Sequence, residues 1–166
     1  MKQHEGEHPF GHYGQIISFV LFIVVWGLDS FRFHFLPQIG LAVPLLVRIS
    51  LFVVLVTFAI VLMNDGHRVL SDDHKVGKLA TDGYFRITRH PLYLGILIFY
   101  LALSILTASF LSFMSLIFIF IYYDFIARYE EKYLYLKFGE SYLNYWKKTP
   151  KWLFFKNRIK HGQKPN

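Results

Sequence analysis

The chain has no cysteine among its 166 residues. That excludes a disulfide-stapled secreted domain and any zinc or iron–sulfur centre held by thiolates. Charge is sparse: Asp, Glu, Lys and Arg together supply 17% of the residues. The polar composition that marks disorder is therefore missing. Acidic residues are the scarcer sign, 11 against 18 Lys plus Arg, giving a formal net charge of +7. A soluble nucleic-acid binder could carry that charge, but not the apolar length described below. No internal repeat stands out. Residues 1–15 lack the basic start of a signal peptide, and no small-residue cleavage site follows Ile16–Trp26. The first apolar segment is expected to remain as an anchor.

Apolar residues are abundant instead. Hydrophobic types make up 54% and aromatics 19%, with 18 Phe and 11 Tyr. A spanning helix needs about 20 mostly apolar residues. Residues 16–36 offer one such stretch, interrupted only by Asp29, Arg32 and His34, and residues 41–63 a second, with Pro44 early and Arg48 inside. A third apolar block runs from Pro91 to Ile126. As one helix it would reach ~54 Å against a hydrocarbon core of ~30 Å, so it must fold back. The small, polar stretch Ser104–Ser109 is the expected turn. The expected fold is all-α: a polytopic membrane protein of about four transmembrane helices in one domain, residues 1–166. Its parts are an N-terminal tail (1–15), spans at 16–36, 41–63, 91–106 and 110–127, a loop at 64–90 and a helical tail at 128–166.

Basic residues flank helices on the cytoplasmic side. With four spans, every Lys and Arg except Arg32 and Arg48 falls on one side. Both termini and the loop 64–90 are therefore expected in the cytoplasm of a multi-pass cell-membrane protein. Chemistry with a water-soluble partner belongs on that side.

Several local features need a reading. His4, His8 and His12 would share a helical face and could bind a metal, but Gly6, Pro9 and Gly11 argue against a helix there. A mobile or interfacial tail is expected. The remaining histidines are too scattered for a membrane di-iron site, and no metal is expected. Asp29 and Arg32 can pair three residues apart. Arg48 can snorkel outward, or point into the bundle toward Asp29 or a lipid head group. Asn64-Asp65-Gly66, Ser71-Asp72-Asp73 and Asp82-Gly83 read as turns in a long loop with enough apolar residues to pack. Seven of the 11 tyrosines lie between Tyr122 and Tyr145, an interfacial belt on a basic segment. Anchoring does not explain the consecutive carboxylates Glu130 and Glu131 within it.

Topology brings two features together. If the third and fourth spans form a hairpin, Arg89-His90-Pro91-Leu92-Tyr93-Leu94-Gly95 at the entrance of one lies beside Glu130-Glu131 at the exit of the other. Pro91 suits the first turn of a helix, whose N-terminus favours a carboxylate. Gly95 removes a side chain one turn in, allowing a close approach. The glutamates accept from hydroxyl or amino groups. The composite suits a zwitterion bearing a carboxylate, an ammonium and sugar hydroxyls, such as S-adenosyl-L-methionine.

On these residues the chain resembles the integral-membrane methyltransferases typified by isoprenylcysteine carboxyl methyltransferase, with phospholipid methyltransferases as relatives. The matching stretches are Leu79–Phe85, Arg89–Gly95, Tyr129-Glu130-Glu131, Phe138–Tyr142, Tyr145 and Lys148–Trp152. The resemblance implies an S-adenosylmethionine pocket formed by the last helix hairpin, the loop before it and the tail after it, releasing S-adenosyl-L-homocysteine as product. It places Gly77, Lys78, Leu79 and Ala80 along the cofactor, and Phe85 where the family has a cofactor-contacting Tyr. His90, Pro91, Leu92 and Tyr93 would hold the amino-acid end, and Glu130 would contact the cofactor through its carboxylate. Arg89, Gly95 and Glu131 belong to the motif as supporting or packing residues. One position departs: Ile126 stands where the prenylcysteine enzymes carry a substrate-binding Arg. Arg128 lies ~200° around the helix from it and is no obvious substitute.

The expected activity is methyl transfer to a small lipophilic acceptor entering from the membrane lipids, with no nucleic acid as partner. No dedicated general base is evident, which favours a carboxylate or thiol-like nucleophile. The alternatives are N-methylation of an amino-lipid, and a non-catalytic membrane protein that binds ligand or serves as a scaffold.

Overall fold

The structure, a computed structural model, describes residues 9–33 and 43–153. Among the described residues every regular element is helical. Helix α1 (Pro9–Leu28) runs on into a π-helical stretch, Asp29–Phe33. Then come α2 (Leu45–Val76), a 3-10 turn (Gly83–Arg86), α3 (Pro91–Thr107), α4 (Phe110–Phe138) and α5 (Glu140–Lys148). Segments Tyr13–Phe33, Leu45–Asp73 and Phe110–Phe138 are long and apolar enough to cross a membrane, and α3 is a shorter apolar helix. The chain is an all-α polytopic membrane protein.

Two readings of local sequence need correction. The segment read as a loop at 64–90 is helical as far as Val76. Asp82-Gly83 does form a turn, with Gly83 at φ +56°, but Asp65 and Gly66 are used in tertiary contacts instead. Asp65 accepts from the Tyr84 N–H at 2.8 Å and from Arg68 at 2.6 Å, tying the 3-10 turn back to α2. Gly66 lies against α3, where an added Cβ would come within 3.1 Å of Leu92 Cγ. At the N-terminus, α1 starts at Pro9 and runs through Gly11 and His12, while His4 and His8 lie outside the described residues.

Helix α3 is the most deeply embedded element. Tyr93, Leu94, Leu97, Tyr100 and Leu103 are buried along it and join Phe22 of α1, Leu62 of α2 and Ile119, Tyr123 and Ile126 of α4 in one apolar core. Phe22 stacks on Tyr100 with ring centroids 4.3 Å apart. Gly95 sets how closely α3 approaches α2, since a Cβ there would meet Met63 Cγ at 2.6 Å and the Ala59 carbonyl at 3.0 Å.

The turn between α3 and α4 is tight. Ala108 adopts a left-handed conformation (φ 52°), and the Ser109 side chain caps α4 by accepting from the Ser112 N–H. Asp29 is buried and accepts from Ser109 Oγ and from the Leu111 N–H at 3.0 Å, placing an acid at the positive end of α4. Arg48 points into the bundle: its Nη1 donates to the Leu106 carbonyl at 3.1 Å. The last carbonyls of a helix lack intrahelical partners, and a cation there is favourable. This braces the hairpin from its closed end and aligns the open end, where the candidate site lies.

Candidate functional site

The site is built where α2 ends, α3 begins and α4 runs out. Helix α4 has 29 residues, or ~43 Å, so its last turns project beyond a ~30 Å hydrocarbon core. Those turns carry Glu130 and Glu131. Gly139 (φ +54°) breaks the helix, and α5 folds back beside it.

His90 is the N-cap of α3 and Pro91 its first residue. Pro is tolerated there because its missing N–H would have no partner in any case. Arg89 and His90, both buried, face α4. Arg89 donates from Nε to Glu131 Oε1 at 2.9 Å, and its Nη2 lies 2.9 Å from the same oxygen. Its Nη1 donates to the carbonyls of Trp146 at 3.1 Å and Thr149 at 2.7 Å. One guanidinium thus joins the loop, α4, the last turn of α5 and the segment after it. His90 lies between the two carboxylates, with Nε2 3.1 Å from Glu131 and Nδ1 3.6 Å from Glu130. Tyr93, one turn along α3, stacks parallel to His90 and donates its hydroxyl to Glu130. Gln15 of α1 reaches the same hydroxyl from Nε2 at 3.4 Å.

The residues after α5 form a strap. Arg89 N–H donates to the Pro150 carbonyl at 3.0 Å, and Thr88 Oγ1 donates to the Lys151 carbonyl at 2.7 Å. Lys151 Nζ and Trp152 Nε1 both reach Asp124 Oδ1, at 2.7 and 2.9 Å. Burial pushes the Lys151 ammonium below its usual range, and the hydrogen bond to Asp124 opposes that shift. Tyr145 donates to the Phe85 carbonyl at 2.7 Å. Burial pushes the phenols of Tyr142 and Tyr145 above their ordinary range, so both remain neutral donors.

These elements enclose a cavity of about 350 Å³, within the size range of small-molecule sites. Gly77, Lys78, Leu79, Ala80, Phe85, Arg89, His90, Pro91, Leu92, Tyr93 and Glu130 line it. Gly95 and Glu131, the remaining expected residues, stand behind it: Gly95 at the α2–α3 contact and Glu131 under Arg89 and His90.

The sequence reading missed part of the wall. Tyr133, Leu134 and Lys137 follow Glu130 at three, four and seven residues, so they share its helical face. That periodicity could have found them. Tyr142 and Tyr145 share a face of α5 in the same way. Gln15, on a distant helix, carried no sequence signal.

The lining can be tested against S-adenosylmethionine. It offers a partly exposed carboxylate, a helix N-terminus, aromatic faces and one hydroxyl without a protein partner. Tyr142 is 1% exposed, and its Oη is buried with no hydrogen-bond partner among the described residues. Acceptor, anion site, flat apolar wall and spare donor are the functions that a zwitterionic nucleoside requires, so the residues fit.

Comparison with known proteins gives two matches. The family model for phospholipid methyltransferases matches residues 41–141, more than half of the chain. The protein-S-isoprenylcysteine O-methyltransferase of Schizosaccharomyces pombe is 38% identical over 87 residues. That match covers 51% of this chain and 36% of the relative, so the chain corresponds to well under two thirds of the yeast protein's length. No solved structure matches the chain.

Proposed function

Because the chain belongs to the phospholipid methyltransferase family, we propose that it transfers a methyl group from S-adenosylmethionine to a lipophilic acceptor held in the membrane. The observation that carries this reading is the cavity itself. It gathers three separate stretches, the segment Gly77–Ala80, the start of α3 and the distant Glu130, around one small-molecule volume.

When bound, S-adenosylmethionine supplies a methyl group already activated by its sulfonium. The protein's task is alignment and exclusion of water, which can supply a large share of the barrier reduction. Glu130, fixed by Tyr93, would accept from the ammonium or sugar hydroxyls. The N-terminus of α3 would favour the carboxylate. Phe85, Tyr133 and Tyr145 provide flat apolar surface. Arg89 and Glu131 hold His90 and the strap in place behind them. The charge distribution supports four membrane passages, with both termini and the open end of the bundle on the cytoplasmic side. The acceptor enters from the bilayer.

The activity named for the Schizosaccharomyces pombe relative makes a prenylcysteine carboxylate the first acceptor to test. An amino-lipid is the second. It is favoured by Ile126, which lies in the apolar core at 5% exposure where the prenylcysteine enzymes place an Arg.

Calorimetric titration of the detergent-purified protein with S-adenosylhomocysteine tests the reading. Saturable binding is expected, and it should be lost in Glu130→Ala and in His90→Ala. No binding to folded wild type overturns it. Radiolabelled methyl transfer to prenylcysteine and to phosphatidylethanolamine then assigns the acceptor.

A further inference from the structure

Tyr142 differs from the other tyrosines of the cavity wall in the surroundings of its hydroxyl. Its ring is buried in the wall shared by α5 and the end of α4, at 1% exposure. Tyr145, its neighbour one turn along, donates to the Phe85 carbonyl. The Tyr142 hydroxyl has no corresponding partner among the described residues. A buried hydroxyl without a partner keeps its full desolvation cost, whereas a phenylalanine of the same shape would avoid it. Yet the hydroxyl belongs to a residue that lines the cavity. It also lies close enough to Glu131, Arg89 and Glu130 for their charges to act on it. The hydroxyl is unpaired among the described residues, on a residue that shares the cavity lining with Glu130.

We propose that the Tyr142 hydroxyl is a cofactor-binding group, completing its hydrogen bonding only when S-adenosylmethionine or S-adenosylhomocysteine occupies the cavity. This rests on the methyltransferase reading above and adds a contact from α5. Helix α5 then does more than brace the loop: occupancy of the cavity ties α5 directly to α4, and the ligand becomes part of the packing between them.

The physical signature separates this role from a structural one. A hydroxyl with a protein or permanent water partner stabilises the unligated protein, and Tyr142→Phe would then lower its stability. A hydroxyl waiting for a ligand costs stability in the unligated protein, and its removal leaves stability unchanged or raises it. The experiment measures thermal unfolding of unligated wild type and Y142F in the same detergent, together with calorimetric affinity for S-adenosylhomocysteine in the absence of any acceptor. The expected result is a midpoint equal to or above wild type and an affinity about tenfold weaker. A lowered midpoint in Y142F overturns the proposal, because the hydroxyl then has a structural partner. Equal affinity in the two proteins also overturns it while leaving the methyltransferase reading intact. Absence of binding by wild type overturns both.

Discussion

Arg89 and Glu131 form a buried ion pair across the α3–α4 boundary, with Arg89 Nε and Nη2 both 2.9 Å from a single carboxylate oxygen. The remaining guanidinium nitrogen binds the Trp146 and Thr149 carbonyls. Removing one member of a buried pair leaves the other charge uncompensated, at a cost of ~3–5 kcal/mol. Arg89→Ala should therefore destabilise the protein by about that amount, and it should release residues 149–153 first. Chemical unfolding in detergent measures the loss, and limited proteolysis locates it. Unchanged proteolysis of the strap would contradict the role given to Arg89.

Tyr93 and Glu130 support a second prediction. The hydroxyl of Tyr93 orients a carboxylate that is one-quarter exposed. Hydrogen bonds to charged groups contribute ~1.5–3 kcal/mol. Tyr93→Phe should weaken S-adenosylhomocysteine about tenfold or more and should also lower unligated stability. Gln15→Ala, which removes only the longer 3.4 Å contact to the same hydroxyl, should weaken it by less. Titrations of the two variants in parallel rank the contacts.

Two glycines should respond differently to alanine. At Gly95 the added Cβ meets Met63 and the Ala59 carbonyl, so Gly95→Ala should cost ~1–3 kcal/mol through overpacking. Gly139 has φ +54° but no atom within 4 Å of the added Cβ. Gly139→Ala should cost ~1–3 kcal/mol from backbone strain alone. Only the first should be eased by a second substitution, Met63→Ala, which makes room for the new methyl group.

Stability should fall at alkaline pH. Burial raises the phenol pKa values of Tyr142 and Tyr145 in the folded protein above their ordinary value of 10. The unfolded chain therefore loses these protons first and binds fewer of them above that pH. The contribution is fully present below about pH 10 and is lost as pH rises beyond it, by ~1.4 kcal/mol per pH unit for each tyrosine. Unfolding midpoints measured across that range should fall less steeply in Y142F and in Tyr145→Phe than in wild type.

What the sequence determined by itself was local chemistry and its order along the chain. Apolar runs defined the helices because a bilayer admits little else, and the length of Pro91–Ile126 required a fold-back. The RHPLY and EE motifs were legible because a helix start and a helix exit must meet when two neighbouring helices form a hairpin. Tertiary structure decided the rest. Asn64-Asp65-Gly66 reads as a turn, but it stays helical because α3 needs the glycine and the 3-10 turn needs the aspartate. Arg48 was ambiguous until the end of α3 presented a free carbonyl. Gln15 and the lone hydroxyl of Tyr142 join the cavity only through packing between distant segments. Periodicity records which face a residue takes on its own helix; which other helix lies opposite that face depends on interactions between segments far apart in the chain.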